Sequence, residues 1–179
     1  MRKIVSSLFI SLDGVVEAPE AWHFPYFDEE MGSVVAPLMA DAESMLLGRV
    51  TYEGFAAYWP TSDDEFADQM NGARKYVVST TLTSADWQNS TLVNGDVPQE
   101  LARLKEQPGG TLGVTGSPTL VRSLLREGLL DELHLLVHPI VVGSGKRLFD
   151  DGPKVPLRLT SSQTLGSGVV YLTYTGAES

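Results

Sequence analysis

Short apolar runs alternate with amphipathic segments along most of this chain, and this alternation restricts the fold more than any other feature. β-Branched or leucine-rich runs that favour buried strands lie at residues 3–11, 44–47, 76–79, 111–115 and 133–142. Segments with the helical spacing of apolar residues lie between them, at residues 27–42, 51–57, 98–106 and 118–127. Strands that alternate with helices form a mostly parallel sheet.

The end of the chain follows a different pattern. Residues 157–165 and 169–174 favour strands, and Gly166-Ser167-Gly168 between them favours a turn, so an antiparallel hairpin is expected at one edge of the sheet. No repeat, low-complexity tract or linker-like stretch interrupts the 179 residues. We therefore predict one domain, residues 1–179, with an α/β fold. Its form is a three-layer sandwich, in which helices flank a mixed, mostly parallel central sheet.

Composition excludes several classes of function. The chain has 13 Lys and Arg against 23 Asp and Glu, and its formal net charge of −10 makes nucleic acid and anionic membranes poor partners. It has no cysteine, which excludes disulfides, thiolate zinc sites and thiol nucleophiles, and a cytoplasmic location is expected. No run approaches the roughly 18 apolar residues of a membrane span. Any bound anion has to be held locally, against the field of the whole molecule.

The first candidate site follows the strand at residues 44–47. Gly48 and Arg49 lie where this strand ends and a helix begins, and Thr51 lies in the first helical turn. The first amide groups of a helix have no partner within it and carry partial positive charge, and glycine permits close approach to the backbone. The pattern suits a phosphate group. A plain strand-to-helix turn with a surface arginine is the alternative.

A second start of the same kind lies at Gly116 and Ser117. Ser117 is a favoured N-cap residue and Pro118 a favoured first helical residue, so a helix is predicted to begin here. The segment matches neither the G-x-G-x-x-G fingerprint nor the P-loop, and a capped helix without a ligand is the alternative. Two such starts in one sheet are nevertheless what the separate phosphates of a dinucleotide require.

Metal and hydrolase chemistry have little support in the sequence. His134 and His138 lie four residues apart on one predicted strand, which separates them by about 13 Å at ~3.3 Å per residue, too far to share a zinc ion. No metal site is predicted. The chain also has no Gly-x-Ser-x-Gly elbow of a serine hydrolase. The glycine-rich segment 142–147 has two basic residues, but it lacks the Ser or Thr of a P-loop and favours a turn.

Asp13 and an aromatic segment are the candidates for the substrate side. Asp13 follows the first strand beside Gly14, and an aromatic segment that includes Trp22 and Phe27 comes shortly after. An acid near aromatic rings that can stack on a flat molecule is typical of a substrate pocket. A turn stabilised by Asp13 beside an apolar plug accounts equally well for the same residues.

Taken in order, these segments resemble the dihydrofolate reductase superfamily, and within it the reductase domain of the bifunctional riboflavin-biosynthesis deaminase-reductase. The resemblance covers nearly the whole chain. It rests on residues 11–14, 47–53 and 76–79, and most specifically on the run from 114–117 through 129–133 to 139–149.

The resemblance implies an NADPH-dependent reductase of a small pterin-like or ribosylaminouracil-like heterocycle, on a dihydrofolate reductase-like fold, and a homodimer. By similarity, eight residues would meet the cofactor: Gly48, Arg49 and Thr51 along the phosphates, with Arg49 facing the 2′-phosphate; Ser79 and Thr80 near the adenosine; and Gly116, Ser117 and Thr119 at the pyrophosphate. Asp13 or a bound water would help supply the proton, and Trp22 and Phe27 would contact the substrate.

Two further points bear on what the resemblance implies. In dihydrofolate reductase an acid on the first helix holds the pterin, and Asp28, Glu29 and Glu30 cluster nearby here. Two other functions stay open on the same fold. One is a catalytically inactive nucleotide-binding or assembly protein, and the other is a reductase that uses flavin or deazaflavin.

Overall fold

The computed structural model describes residues 1–177. Eight strands are present in this range: β1 Ile4–Ser11, β2 Ala42–Gly48, β3 Arg74–Val78, β4 Ser90–Val93, β5 Thr111–Val114, β6 Glu132–His138, β7 Leu157–Thr164 and β8 Val170–Gly176. The α-helices are α1 Glu29–Ala40, α2 Arg49–Tyr58, α3 Ala67–Gly72, α4 Val97–Glu106 and α5 Pro118–Arg126. Short 3₁₀ turns occur at Pro19–Ala21, Phe24–Tyr26 and Trp59–Thr61.

All eight strands form one sheet, in the order β4-β3-β2-β5-β1-β6-β8-β7. The six strands from β4 to β6 pair in parallel, whereas β8 and β7 pair antiparallel to the rest. The expected C-terminal hairpin is therefore present at one edge. Parallel pairing places the carboxyl ends of β2, β5 and β1 along the same edge of the sheet, which is where ligands bind in open α/β folds.

Helices cover both faces of the sheet, which gives the predicted three layers. Helices α4 and α5 pack on one face through leucines such as Leu101 and Leu124, against Leu112 and Leu133 of the strands. On the other face, α1 packs over β6 and β1, and α2 with α3 packs over β2 and β3. The two groups on this second face leave β1 and β5 uncovered between them. This uncovered part of the sheet is the floor of the cleft described below.

Several elements differ from their predicted bounds. The strand predicted at 133–142 ends at His138, because Pro139 has no N–H to donate to a ladder. Beyond it, the Ile140 carbonyl accepts a hydrogen bond from the Leu12 N–H at 2.8 Å, which keeps the segment against the end of β1. Helix α3 and strand β4 have only 6 and 4 residues, and no periodicity predicts them.

One cation lies fully inside the protein. Lys75, at the start of β3, has no exposed surface, and its Nζ donates to the carbonyls of Asn71, Ala73 and Gln88 at 3.0, 2.8 and 3.1 Å. Its ammonium also lies 3.9 Å from the centre of the Trp87 ring. Burial lowers the pKa of Lys75 to about 8. These contacts join the end of α3 to the loop before β4.

Within residues 1–177, no helix is long and apolar enough to cross a membrane.

Candidate active site

The two predicted strand–glycine–helix starts lie next to each other. Strands β2 and β5 pair in parallel, with Leu46 opposite Val114, so the helices that follow them begin side by side. The N–H of Gly48 donates to Ser117 Oγ at 2.9 Å, and the N–H of Ser117 donates to Thr51 Oγ1 at 3.2 Å. Each helix start thus supplies a hydroxyl to the backbone of the other, which fixes their relative position.

Glycine is required at position 116, because its backbone is left-handed and the Thr51 side chain lies close to it. Gly116 has a φ of +53°, and a Cβ added there would lie 3.3 Å from Thr51 Oγ1. At Gly48 an added Cβ would make ordinary van der Waals contact, 3.4 Å from both Cβ and Oγ of Ser117. The small residues therefore keep the first turns of α2 and α5 close together and their backbone accessible.

The capping pattern distinguishes these two helices from α1 and α4. Asp28 caps α1 by accepting from Met31 N, and Asp96 caps α4 by accepting from Gln99 N. Helices α2 and α5 have no side-chain cap. Ser117 is the N-cap residue of α5, as predicted, but its side chain makes no capping hydrogen bond, because its left-handed backbone (φ 53°) turns the hydroxyl away, toward Gly48 N and the Thr115 carbonyl. The first-turn amides are left without a capping side chain, and they fit the phosphates of a dinucleotide.

A cleft of about 1630 Å³ runs from these helix starts across the uncovered part of the sheet. All eight residues predicted to meet the cofactor line it: Gly48, Arg49, Thr51, Ser79, Thr80, Gly116, Ser117 and Thr119. A small-molecule site commonly occupies about 300–1,000 Å³, so the cleft has room for the reactive part of a cofactor and a second molecule together.

The predicted adenosine and phosphate contacts differ in how free their side chains are. The Ser79 hydroxyl accepts from Thr81 N and Leu82 N at 3.2 and 3.0 Å, so it closes its own turn, whereas Thr80 is exposed. The Arg49 guanidinium is partly exposed and pairs with Glu53 one turn further along α2, at 3.0 Å. Such an exposed pair is weak, and the guanidinium can turn to an incoming anion.

Asp13 does not line the cleft, and its carboxylate is bound by neighbouring groups of the protein. Its carboxylate accepts from the Ser11 hydroxyl at 2.5 Å, from Val142 N at 3.1 Å and from Gly143 N at 2.9 Å, and Arg147 approaches to 3.6 Å. These hydrogen bonds, the one from Ser11 foremost, lower the pKa of Asp13 from 3.8 to about 2. A carboxylate that stays ionised at neutral pH is poorly suited to donate a proton. The observed geometry is that of an anchor that holds the loop at 142–147 against β1.

Trp22 and Phe27 also lie outside the cleft lining. Trp22 is buried, with its ring edge-on to His138 at 5.2 Å, and Phe27 is half-exposed and edge-on to His23 at 5.9 Å. Phe9 stacks on His23 at 4.6 Å and itself lines the cleft, so it separates the cleft from these rings. Burial is the main reason that the pKa values of both His23 and His138 are lowered. The structure thus favours the apolar-plug alternative for this segment.

The sequence did not indicate the floor and walls of the cleft. Its floor comes from alternate positions of the central strands: Val5, Ser7 and Phe9 of β1, Met45 of β2, Gly113 of β5 and Leu136 of β6. Its walls come from Val35, Leu38 and Met39 of α1 and from Phe55, Trp59 and Met70 on the opposite side. The sequence signal for the floor is the alternation of side chains along residues 5–9. Any buried strand shows the same alternation, so the sequence alone does not indicate a cleft.

The sequence matches a known domain family and two curated relatives. The family model described as the RibD C-terminal domain matches residues 2–171. The uncharacterized protein YyaP of Bacillus subtilis strain 168 is 29% identical over 182 residues, covering 97% of this chain and 94% of that protein. The uncharacterized protein YwjB of the same strain is 29% identical over 172 residues, covering 94% and 95%.

Solved structures share the fold. A protein of Shewanella sp. PV-4 described as a riboflavin biosynthesis protein superimposes with a TM-score of 0.77 at 22% identity, covering 99% of this chain and 100% of that one. Enterococcus faecalis dihydrofolate reductase, complexed with NADP(H) and RAB-propyl, superimposes with a TM-score of 0.67 at 13% identity, covering 98% and 97%. At these identities the likeness shows the fold alone, and the dihydrofolate reductase-like fold predicted from the sequence is confirmed.

Proposed function

Because the chain belongs to the RibD C-terminal domain family, we propose that it is an NADPH-dependent reductase of a small organic molecule. The family is one of reductases related to riboflavin biosynthesis, and dihydrofolate reductase has the same fold. The finer points, namely the cofactor, the activity and the substrate, are part of the proposal.

One observation carries the proposal: the uncapped starts of α2 and α5, joined through Ser117, open into a single cleft. Two sets of free amide groups, held side by side at the carboxyl edge of the sheet, suit the linked phosphates of a dinucleotide. Arg49 adds a positive charge at the mouth of the cleft, suited to a 2′-phosphate. These local contacts counter the unfavourable field of a chain with net charge −10.

The chemistry itself would belong to the cofactor. Bound NADPH supplies a hydride, so that with one proton from water a C=O or C=N bond of the substrate is reduced and NADP⁺ remains. The contribution of the chain is to fix the phosphates at the two helix starts, to direct the rest of the cofactor along the cleft, and to limit water over the floor formed by Phe9 and Leu136. No nucleophilic side chain is required.

The proposal is tested by titrating the protein with NADPH and with NADH while following tryptophan fluorescence, since Trp59 lines the cleft. We expect saturable binding, with NADPH preferred. Arg49→Gln is expected to weaken NADPH binding by about tenfold or more, the range for a hydrogen bond to a charged group, and to leave NADH binding unchanged.

Arg103→Gln is the matched control, because Arg103 also pairs with a glutamate on its own helix, Glu100 at 2.8 Å, but lies on α4 away from the cleft. The absence of saturable NADPH binding at millimolar concentration would refute the proposal. Saturable binding with no oxidation of NADPH by any acceptor would favour the rival function of a non-catalytic nucleotide-binding protein.

A homodimer and a cytoplasmic location are also proposed. Strand β7 is an edge strand with mostly exposed residues, and such an edge can pair with a second copy. The lack of cysteine accords with a reducing compartment. Sedimentation equilibrium distinguishes a dimer from a 19.4 kDa monomer, and fractionation of the producing cell tests the location.

A further inference from the structure

Beyond the cofactor end, the cleft has an apolar interior. From Val5 to Phe9 its floor extends over five residues of β1, whose four steps span about 13 Å at ~3.3 Å per residue. The α1 wall presents Val35, Leu38 and Met39, and the facing wall presents large aromatic and thioether side chains, including Phe55. This length exceeds a single six-membered ring, so the space suits a molecule of two or more rings or an equivalent chain.

The charges around the cleft do not suit a phosphorylated substrate. The lining side chains of the described residues include three cations, Lys3, Arg49 and Lys146, and four carboxylates, Glu17, Glu20, Asp41 and Glu132. Lys3 is held by Glu132 at 2.7 Å, at the far end of the floor. Arg49 lies at the cofactor end, where the 2′-phosphate would occupy it. Lys146 lies beside Pro118 and Thr119 at the start of α5, also at the cofactor end, and the ring nitrogens of His134 hydrogen-bond to Tyr171 and Glu132. The apolar interior is therefore left with no cation of its own, and a phosphate there would be buried without a partner.

The first helix also lacks a carboxylate directed at the cleft. Asp28 accepts from Met31 N at 2.9 Å as the helix cap, and Glu30 accepts from Gly166 N at 2.7 Å. Glu29, on the same turn, is not among the residues that line the cleft. A pterin presents a row of ring N–H groups that need an acceptor when they are buried. Within α1, Glu29–Ala40, the side chains that line the cleft are aliphatic or thioether groups only, and the lining carboxylates Glu17, Glu20, Asp41 and Glu132 lie outside this helix.

From this lining we infer that the substrate of the proposed reductase is a neutral, largely apolar molecule of two or more rings, such as a quinone or a conjugated ketone. This inference rests on the proposed function and narrows it, because it favours such a molecule as substrate over both the phosphorylated aminouracil and the pterin. Burial of apolar rings along the floor and walls supplies the binding free energy, and the cofactor end supplies the reductant.

The test measures binding to the cleft directly, with Nile red as a neutral, flat, fluorescent probe and menadione as its competitor. We expect saturable Nile red binding that menadione displaces, and that neither dihydrofolate nor 5-amino-6-(5-phosphoribosylamino)uracil displaces. Leu38→Asp places a charge on the α1 wall and is expected to weaken Nile red binding by about tenfold or more, because an unpaired carboxylate on an apolar surface is costly.

Ala36→Asp is the matched control: it adds the same charge to the same helix at an exposed position that does not line the cleft, and we expect no change in Nile red binding. Met39→Asp, on the cleft wall but 52% exposed, repeats the test at a position that the core does not need for folding. NADPH affinity, measured on the same variants, is expected to remain as in the wild type.

Two results would overturn the inference. One is displacement of Nile red, or faster oxidation of NADPH, by the phosphorylated aminouracil or dihydrofolate rather than by menadione. The other is Nile red binding that neither Leu38→Asp nor Met39→Asp weakens. Both can occur with NADPH binding intact, so they are distinct from failure of the proposed function, which is loss of NADPH binding itself.

Discussion

Replacing Ser117 tests the junction between the two helix starts. Its side chain is buried, accepts from Gly48 N at 2.9 Å and donates to the Thr115 carbonyl at 3.0 Å. Ser117→Ala removes the hydroxyl and leaves the Gly48 N–H without that acceptor. An unsatisfied buried donor costs about 1–3 kcal/mol, so we expect the free energy of unfolding to fall by about 2 kcal/mol. For a chain of this length that loss lowers Tm by about 4–8 °C.

Ser117→Gly separates the hydrogen bond from the backbone strain. The φ of Ser117 is +53°, a left-handed conformation that costs a residue with a Cβ about 1 kcal/mol more than glycine. Both variants lose the same hydroxyl, but only the glycine variant also loses the strain. We therefore expect Ser117→Gly to be more stable than Ser117→Ala by about 1 kcal/mol, and to fall less far below the wild type.

Urea unfolding followed by tryptophan fluorescence gives the free energies, and NADPH titration of the same variants gives the consequence for the site. NADPH binding is expected to weaken in both variants, because Gly48 and Thr51 lose the contact that sets their distance from α5. If Ser117→Ala is as stable as the wild type, the hydroxyl does not join the two starts as described. If the glycine variant is no more stable than the alanine variant, the strain assigned to residue 117 is wrong.

Asp13→Asn is expected to lower stability above about pH 4 and to leave the pH profile of NADPH oxidation unchanged. Because the pKa of Asp13 falls from 3.8 to about 2 on folding, its contribution is present above the unfolded value and is lost as pH falls through 2. Unfolding of both proteins between pH 2 and 7 checks the stability part. If Asp13→Asn loses the acidic or the basic limb of the rate profile, Asp13 is the proton donor and the prediction is wrong. Lys75→Met removes a group whose pKa falls from 10.5 to about 8. As the pH rises, Lys75 loses its proton in the folded protein before it does so in the unfolded chain, so the stability of the wild type relative to Lys75→Met increases between about pH 8 and 10.5. Urea unfolding across this range measures the difference. A difference that stays constant with pH would contradict the lowered pKa of Lys75.

The fold was more predictable from sequence than the site, for a physical reason. Strand and helix signals are local, and the strongly periodic segments at residues 3–11 and 118–127 form elements close to their predicted bounds. The two glycine starts were also found, because a strand followed by glycine and a helix is itself a local pattern. Which positions face a cavity depends instead on what the opposite layer leaves uncovered, and no spacing within β1 contains that information.

Ser117 shows the same limit on a smaller scale. Its residue type and the following Pro118 predict a cap, and the helix does begin there. The hydroxyl, however, is used 69 residues away along the chain, at Gly48. A partner this distant in sequence takes precedence over the local preference because β2 and β5 are paired. The same is true of Asp13, which looks like a free acid beside a glycine and is bound by amides of residues 142 and 143.

The source of the proton follows from the groups around the cleft. Asp13 is ionised and anchored, and Phe9 separates the cleft from His23 and His138. Glu132 has a lowered pKa because Lys3 and His134 hydrogen-bond to it, so it too remains a carboxylate. His134 also lines the cleft, and its two ring nitrogens hydrogen-bond to Tyr171 and to Glu132. For the proposed reductase we therefore expect the proton to come from water. A quinone or conjugated ketone, whose reduced oxygen is basic enough to be protonated at neutral pH, is a substrate that such a site would be able to turn over.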